Sequence, residues 1–540
     1  MGDMKASSKY TNLIFIIFTL IQAIIIIFWG TQKENLYWDE FYTLERAHYI
    51  SDSTPGDHWI DDDPEYKIGK WLPVSMIQDT LVVTKEESVL ADSFLHTIKK
   101  MVKSYNYSIL LNVFSVIISP GKLSIWPSII LNIVLFIINQ LILFAFCNRL
   151  FSNQYYALFA TSFYGFTSMC VSMATYVRFY MFATMLTTLF TFFTCLYYST
   201  KDEEHVKRIM YLALAALTLY IAYGNAQYVI IYAGFFGIVL AVLIKIRQGW
   251  KRFLLFAVPV FGVGLTYIGL KTPYLKIFYD FEEVYADSND ALTATLDQIV
   301  EFDIRYVPER ILEMGHNFGY YLFGSYFVMI GFLVLFIVMA AIHKISGKNT
   351  EERKSDSFIW VIVFSLLIYF AFFTALKLYE QIRYVSYVFP MLSVVLAAAV
   401  FNTFRDIKKN YILALVLILT VILSVNLKAK VDFLYTGDRY NIEKARALDA
   451  DSMIVYANTH TTMITYQSAL MVGHDAEYYV YSSLEDNAIE NLRADLRDRM
   501  LMITYAGTDQ DDVFQLLDEE GYSVEQIGGT YQYSLFDIKR

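Results

Sequence analysis

Two adjacent carboxylates, Asp39 and Glu40, follow an uncharged apolar run near the start of the chain, residues 12–29. About 18 apolar residues are enough to cross a bilayer core roughly 30 Å thick. A charge where the chain leaves lipid is costly unless something there uses it. A carboxylate can take the proton of an attacking hydroxyl, so the pair is a candidate general base. The alternative is a solvated acidic turn beside an aromatic interface belt.

Two arginines occupy comparable positions at the ends of other apolar runs. Arg178 lies between the third and fourth runs, and Arg383 lies where the tenth begins. Guanidinium groups bind phosphate through charge-assisted, often bidentate hydrogen bonds, whereas a lone arginine at this depth can simply reach the headgroups. Aromatic faces suit the apolar side of a sugar ring. The tyrosines predicted to line a substrate are Tyr42, Tyr176, Tyr180 and Tyr384.

The composition indicates an integral membrane protein. Mean hydropathy is +0.40, 56% of residues are apolar and only 18% are charged. Apolar runs of spanning length recur along most of the chain. About eleven are predicted, at residues 12–29, 124–147, 155–174, 179–199, 209–224, 227–246, 253–271, 319–342, 358–376, 384–404 and 411–427.

Basic residues orient these predicted spans. They concentrate in the connections at 245–252, 344–354 and 405–409, which the positive-inside rule assigns to the cytoplasm together with the N-terminus. Residues 30–123, 272–318 and the C-terminal tail then lie outside. The tail carries 20 acidic against 10 basic residues, which argues against nucleic acid or anionic headgroups as its partner.

The predicted fold class is therefore an α-helical polytopic membrane protein with two domains. Residues 1–427 form the membrane domain, whose outer loop 30–123 contains an interface helix at 90–105 and a short apolar run at 109–118. Residues 428–540 form a small extracytoplasmic α/β domain. Its predicted strands are 453–456, 478–481, 500–503 and 531–536, with a helix at 512–520.

From about residue 10 to residue 427 the chain resembles the GT-C glycosyltransferases, in the branch of protein O-mannosyltransferases and bacterial aminoarabinose transferases. The similar features are the acidic pair after the first span, the long outer loop, the Arg178-Phe179-Tyr180 step and the Arg383-Tyr384 step before Pro390. The chain departs from many relatives in two places. It lacks their His-Pro stretch before the second span, and it has Thr175 and Tyr176 where they carry an acid.

The resemblance implies an inverting glycosyltransferase that takes its sugar from a polyprenyl-phosphate donor. Asp39, with Glu40, would be the base, and Arg178 and Arg383 would hold the donor phosphate. The acceptor would be a glycan, lipid or protein, at the outer face of a bacterial plasma membrane. No cofactor is certain, and a divalent cation near Asp39 stays open.

Two other functions remain as alternatives: a transporter or flippase of a lipid-linked saccharide, and an assembly protein whose tail is the working part. Transporters place charges near the midplane and use broken helices, whereas the charges here fall at the outer edge of the spans. The paired arginines have no explanation in an assembly protein.

Overall fold

A computed structural model gives the architecture of most of the chain. The residues it describes are 2–48, 69–91, 95, 106–201, 203–223, 227–270, 304–331, 333–334, 354–375, 382–403, 431–456, 467–483, 487–505, 510–530 and 533–540. The predicted interface helix at 90–105 lies almost wholly outside these residues, and the predicted span 411–427 lies wholly outside them. Part of the predicted span 319–342 lies outside them as well.

The described part of the chain is mostly helical. Its longer helices are Gly2–Thr31, Trp38–His48, Asn106–Ile118, Trp126–Phe151, Gln154–Gly165, Ser168–Thr175, Tyr180–Ser199, His205–Tyr223, Gln227–Gln248, Trp250–Leu270, Val307–Phe323, Lys354–Ala375, Phe389–Thr403, Asp438–Ala447, Ala488–Asp495 and Asp511–Glu519. A helical turn at Ser75–Gln78 and short 3-10 turns at Asp79–Leu81, Ile304–Tyr306, Ile382–Tyr384 and Ser386–Val388 complete them.

Six helices of the described residues are long and apolar enough to cross a membrane, which makes the chain an integral membrane protein. They coincide with six of the predicted spans: Tyr10–Thr31, Trp126–Phe151, Tyr180–Ser199, His205–Ala222, Val229–Gln248 and Ser357–Ala375. The predicted span 155–174 is a helix pair bent by 59°, and counting it as one span gives seven.

The bend in that pair follows Gly165. A side chain there would collide with Gln22 and Gln140, which approach the backbone from neighbouring helices. The Gln140 amide donates to the Gln22 side-chain oxygen at 2.9 Å and to the Thr161 carbonyl at 2.9 Å. Buried amides of this kind cost free energy unless they are hydrogen-bonded, so their bonds favour one packing of these apolar helices.

The strands form one mixed sheet. In chain order they are β1 (Trp71–Pro73), β2 (Ser452–Tyr456), β3 (Glu477–Tyr481), β4 (Arg499–Tyr505), β5 (Ser523–Gly529) and β6 (Tyr533–Lys539). The order across the sheet is β1-β3-β2-β4-β6-β5. β2 pairs in parallel with β3 and β4, and the other pairs are antiparallel. Four of the six strands were predicted, while β1 and β5 were not.

The chain divides into two compact units. The helical unit comprises residues 1–26, 132–174 and 179–431. The sheet unit comprises residues 27–131, 175–178 and 432–540, so the outer loop belongs with the C-terminal sheet and contributes β1 to it. The core of the sheet is apolar and includes the buried side chains Ile454, Tyr479, Met502 and Leu517.

Candidate functional site

The acidic pair lies in the first turn of the helix Trp38–His48, in the sheet unit. The peptide N–H of Glu40 donates to the Tyr37 carbonyl at 2.9 Å, which begins the helix. Acidic side chains are favourable in a first helical turn, because the helix dipole and unpaired N–H groups are positive there. Although adjacent, Asp39 and Glu40 have different surroundings.

Glu40 is sealed inside the sheet unit with Lys33. Both side chains are 0% exposed, and the ammonium lies 2.9 Å from the carboxylate. Glu40 also accepts hydrogen bonds from the peptide N–H groups of Tyr37 and Val177, both at 2.6 Å. Lys33 in turn donates to the Phe433 carbonyl. The pair therefore joins three segments that are far apart in the sequence.

Burial dominates the ionisation of this pair. It raises the pKa of Glu40 above its usual value, against the attraction of Lys33 and the two peptide N–H bonds. It lowers the pKa of Lys33, because removal from water disfavours the ammonium more than Glu40 stabilises it. Each group thus depends on the other, and loss of either partner leaves an uncompensated polar group in the interior.

Asp39 keeps contact with solvent. Its side chain is 26% exposed, and the Tyr176 hydroxyl donates to it at 3.2 Å. The Arg178 guanidinium, 15% exposed, lies 3.9 Å from the carboxylate. Arg178 is anchored by bonds from its Nη1 to the Asp39 carbonyl at 2.7 Å and to the Thr43 hydroxyl at 3.0 Å. Asp39 is therefore a reachable carboxylate held by a phenol and a cation.

A second set of bonds fixes the chain that leads into the pair. The peptide N–H of Glu34 donates to the Leu434 carbonyl at 2.8 Å, and the Glu34 carboxylate accepts from the peptide N–H of Gly437 at 2.6 Å. The Asn35 amide donates to the Asp438 carboxylate at 2.9 Å. The turn before Asp39 is thus bound directly to the first residues of the C-terminal tail.

The remaining predicted site residues fall in both units. Tyr42 is buried on the helix that carries Asp39. Arg383, Tyr180 and Tyr384 belong to the helical unit. There Arg383 is buried beside the Tyr384 ring at 5.1 Å, and Tyr180 stacks on Tyr387 at 5.7 Å.

The Asp39 carboxylate lies among hydrogen-bond donors and a cation. Within the described ranges, no group of three or more His, Cys, Asp or Glu side chains converges. The polar partners of the Asp39 carboxylate include a phenol and a guanidinium, and the adjacent carboxylate of Glu40 is bound to Lys33. The Arg178 guanidinium thus supplies positive charge 3.9 Å from the Asp39 carboxylate.

Sequence reasoning missed Lys33 and the tail segment 433–438. Lys33 precedes Glu40 by seven residues across a turn, a spacing that predicts no contact in a helix or a strand. Phe433 and Tyr435 follow the last predicted span, where aromatic residues are typical of a membrane interface and indicate no contact with the acidic pair. Their connection to the acidic pair is a tertiary contact, such as the bond from Lys33 to the Phe433 carbonyl, which joins residues 400 positions apart.

Comparison with solved structures supplies the fold. Two crystal structures of ArnT from Cupriavidus metallidurans are similar to this chain. The apo structure has a TM-score of 0.53 at 11% identity, covering 98% of each chain. The one bound to undecaprenyl phosphate has a TM-score of 0.51 at 10% identity, covering 97% of each.

The expected resemblance to GT-C glycosyltransferases of the aminoarabinose transferase branch is thereby confirmed at the level of the fold. The chain has the ArnT fold. No family model matches it, and no curated protein matches it either.

Proposed function

We propose that the protein is an inverting glycosyltransferase that moves a sugar from a polyprenyl-phosphate carrier to an acceptor hydroxyl. One observation carries the proposal: a partly exposed carboxylate, Asp39, lies between a tyrosine and an arginine in a chain with the ArnT fold. One of the similar ArnT structures is bound to undecaprenyl phosphate, which supports a carrier of that class.

In the proposed reaction the acceptor oxygen attacks the anomeric carbon from the face opposite the phosphate. Asp39 takes the hydroxyl proton as the new C–O bond forms. The bond between the anomeric carbon and the phosphate oxygen breaks, and polyprenyl phosphate leaves with the electron pair. A phosphate leaving group needs no protonation if cations hold its charge.

Glu40, predicted from the sequence as a second catalytic group, receives a positioning role in this proposal. Its carboxylate is occupied by Lys33 and two peptide N–H groups, and it is fully buried. A sealed carboxylate cannot reach a substrate hydroxyl, but it can fix the helical turn that carries Asp39. We therefore assign proton removal to Asp39 alone.

Arg178 also has a role that differs from the sequence prediction. Base and leaving group lie on opposite faces of the sugar in an inverting transfer. A guanidinium anchored 3.9 Å from the Asp39 carboxylate is therefore better placed to orient the base than to hold the phosphate. For Arg383 the proposal keeps the phosphate contact that the resemblance implies.

The proposal includes the topology predicted from charge. The chain would cross the plasma membrane of a bacterium about eleven times, with its N-terminus in the cytoplasm. Residues 428–540 would form an extracytoplasmic α/β domain, and transfer would occur at the outer face. The acceptor would be a glycan, lipid or protein. Asp39 follows the span Tyr10–Thr31 by eight residues, which supports a site at one membrane surface.

The decisive experiment measures sugar transfer in proteoliposomes from a panel of radiolabelled polyprenyl-phosphate sugars. Asp39→Asn keeps the size of the side chain but removes its basicity, and loss of a general base costs about 10²- to 10⁴-fold in kcat. Asp518→Asn, a change at an exposed residue of the sheet unit, is the matched control. We expect transfer to fall in the first variant only.

Equal transfer by Asp39→Asn and wild type would remove Asp39 from the mechanism. Absence of transfer from every donor, together with translocation of a lipid-linked saccharide across the same vesicles, would support the flippase alternative instead. The bent pair Gln154–Gly165 and Ser168–Thr175 is the one feature of the described helices that favours this second candidate, since transporters use broken helices.

A further inference from the structure

Four aromatic rings extend away from Asp39 within the sheet unit. Tyr176, whose hydroxyl donates to Asp39, stacks on Phe433 with ring centroids 4.0 Å apart and planes at 15°. Phe433 meets the Tyr37 ring edge-on at 5.8 Å. Tyr37 in turn lies parallel to Tyr435, with planes at 2° and centroids 6.4 Å apart. The rings therefore form a continuous path that begins at the carboxylate.

The exposure of these rings changes along the path. Tyr176 is fully buried, as expected of a ring that packs in a core. Tyr37, Phe433 and Tyr435 are only half-buried, like Asp39 itself. Apolar aromatic surface that stays open beside a reachable carboxylate suits a ligand with one apolar face and nearby hydroxyls.

The backbone under two of these rings is strained. Phe433 and Tyr435 have φ angles of 63° and 53°, in the left-handed region that bulky side chains rarely adopt. Glycine would occupy this region without the steric cost, as Gly437 does two residues later at φ 102°. Strain of this kind persists only where the surroundings impose it, and it clusters at functional sites.

The surroundings that impose it are the bonds from the turn before Asp39. Lys33 donates to the Phe433 carbonyl, and the peptide N–H of Glu34 donates to the Leu434 carbonyl. The sealed Lys33–Glu40 pair therefore orients the rings of the tail segment as well as the turn that carries Asp39. Rings and carboxylate are held by the same residues.

We propose that Tyr37, Phe433 and Tyr435 form an aromatic wall that binds the apolar face of a saccharide ring next to Asp39. The proposal rests on the glycosyltransferase function proposed above and names a contact that selects its substrates. The C–H face of a pyranose packs on aromatic rings, and its hydroxyls then lie towards the carboxylate. Both the transferred sugar and a glycan acceptor have this chemistry.

Saturation-transfer NMR on the full-length protein in detergent tests the wall without any need for catalysis. The probes are methyl pyranosides, and the variants are Phe433→Leu and Tyr435→Asn. Leucine keeps the apolar volume without the ring, while asparagine tolerates the left-handed backbone. Tyr440→Asn, at a residue 71% exposed, is the control.

We expect saccharide binding to weaken about three- to tenfold in both variants, the range of an aromatic contact. It should be unchanged in the control and retained in Phe433→Tyr, which keeps a ring. Equal binding in wild type and Phe433→Leu would overturn the proposal. So would parallel losses in Phe433→Leu and Phe433→Tyr, because the ring would then be structural.

Transfer kinetics separate the two saccharides and the two proposals. A wall for the acceptor raises the acceptor KM in Phe433→Leu, and a wall for the donor sugar raises the donor KM. Ring-dependent binding of pyranosides by a wild type that transfers no sugar would keep the wall and reject the transferase. Transfer that depends on Asp39, with no ring-dependent binding and no change in either KM, would keep the transferase and reject the aromatic wall.

Discussion

Two ion pairs in the sheet unit contain adjacent carboxylates, Asp39 and Glu40, but differ in burial and in separation. The Lys33–Glu40 pair is 0% exposed on both sides, with a separation of 2.9 Å. The Arg178–Asp39 pair is partly open, with a separation of 3.9 Å. The first pair holds segments of the chain together out of contact with water, while the carboxylate of the second pair remains accessible to solvent. Two adjacent residues of the same charge can thus differ completely in burial, and in our proposal Glu40 supports the turn while Asp39 reacts.

Removal of one partner from the sealed pair should have the largest effect on stability. Lys33→Met leaves the Glu40 carboxyl buried without its cation, which costs about 3–5 kcal/mol in comparable pairs. We expect a lower midpoint of thermal unfolding and loss of transfer. Differential scanning fluorimetry on the detergent-solubilised protein measures the first effect.

The double variant Lys33→Met with Glu40→Leu is the matched control, because an apolar pair of similar volume restores much of the lost stability. A single variant as stable as wild type would contradict the sealed pair. Recovery of stability without recovery of transfer would separate the positioning role from the structural one.

His48, at the C-terminal end of the helix Trp38–His48, is buried like the Lys33–Glu40 pair. Its Nδ1 lies 2.6 Å from the Leu81 carbonyl and its Nε2 lies 2.9 Å from the Ser115 hydroxyl. Burial lowers its pKa from 6.5 to about 4, so the unfolded chain binds a proton more readily between these values. Stability should therefore fall as pH drops from about 6.5 to about 4, by on the order of 3 kcal/mol.

The measurement is the unfolding midpoint of wild type and His48→Gln across that pH range. Glutamine does not titrate, so the slope should be shallower in the variant. The same slope in both proteins would assign the acid sensitivity to other groups.

Substitution of Arg178 in the open pair should have a smaller effect, and the split of that effect between kcat and KM distinguishes two roles for the residue. Arg178→Gln removes the charge beside Asp39, and we expect kcat to fall about ten- to a hundredfold with little change in the donor KM. A rise in donor KM with constant kcat would instead restore the phosphate role predicted from the sequence. Arg383→Gln, assayed in parallel, should raise the donor KM.

The sequence predicted the parts of this molecule that depend on local patterns. Long uncharged runs give six helices of spanning length, and continuous apolar stretches give β2, β3 and β4. The acidic pair attracted notice because charge is costly at that position. β5 was missed because its first four residues are exposed and three of them are polar. β1 was missed because three residues with a proline carry almost no strand signal.

The contacts that support the candidate site were not predicted, because they join residues that are distant in the sequence. Neither the Lys33 bond to Phe433 nor the left-handed backbone of the tail segment follows from residue spacing. The bend after Gly165 was equally hidden, because its two helices together form one stretch that is long and apolar enough to be a single span. These features arise from tertiary packing, which outweighs local preference.

The pairing of β1 with β3 can form only after most of the chain has been synthesised. Trp71 pairs with Tyr479, which is synthesised about 400 residues later. Most of the predicted spans are synthesised between these two residues. Contacts so distant in sequence form slowly and late. The outer loop is therefore synthesised among the first segments and completed among the last, so a truncated chain carries Asp39 without the segment that orients it.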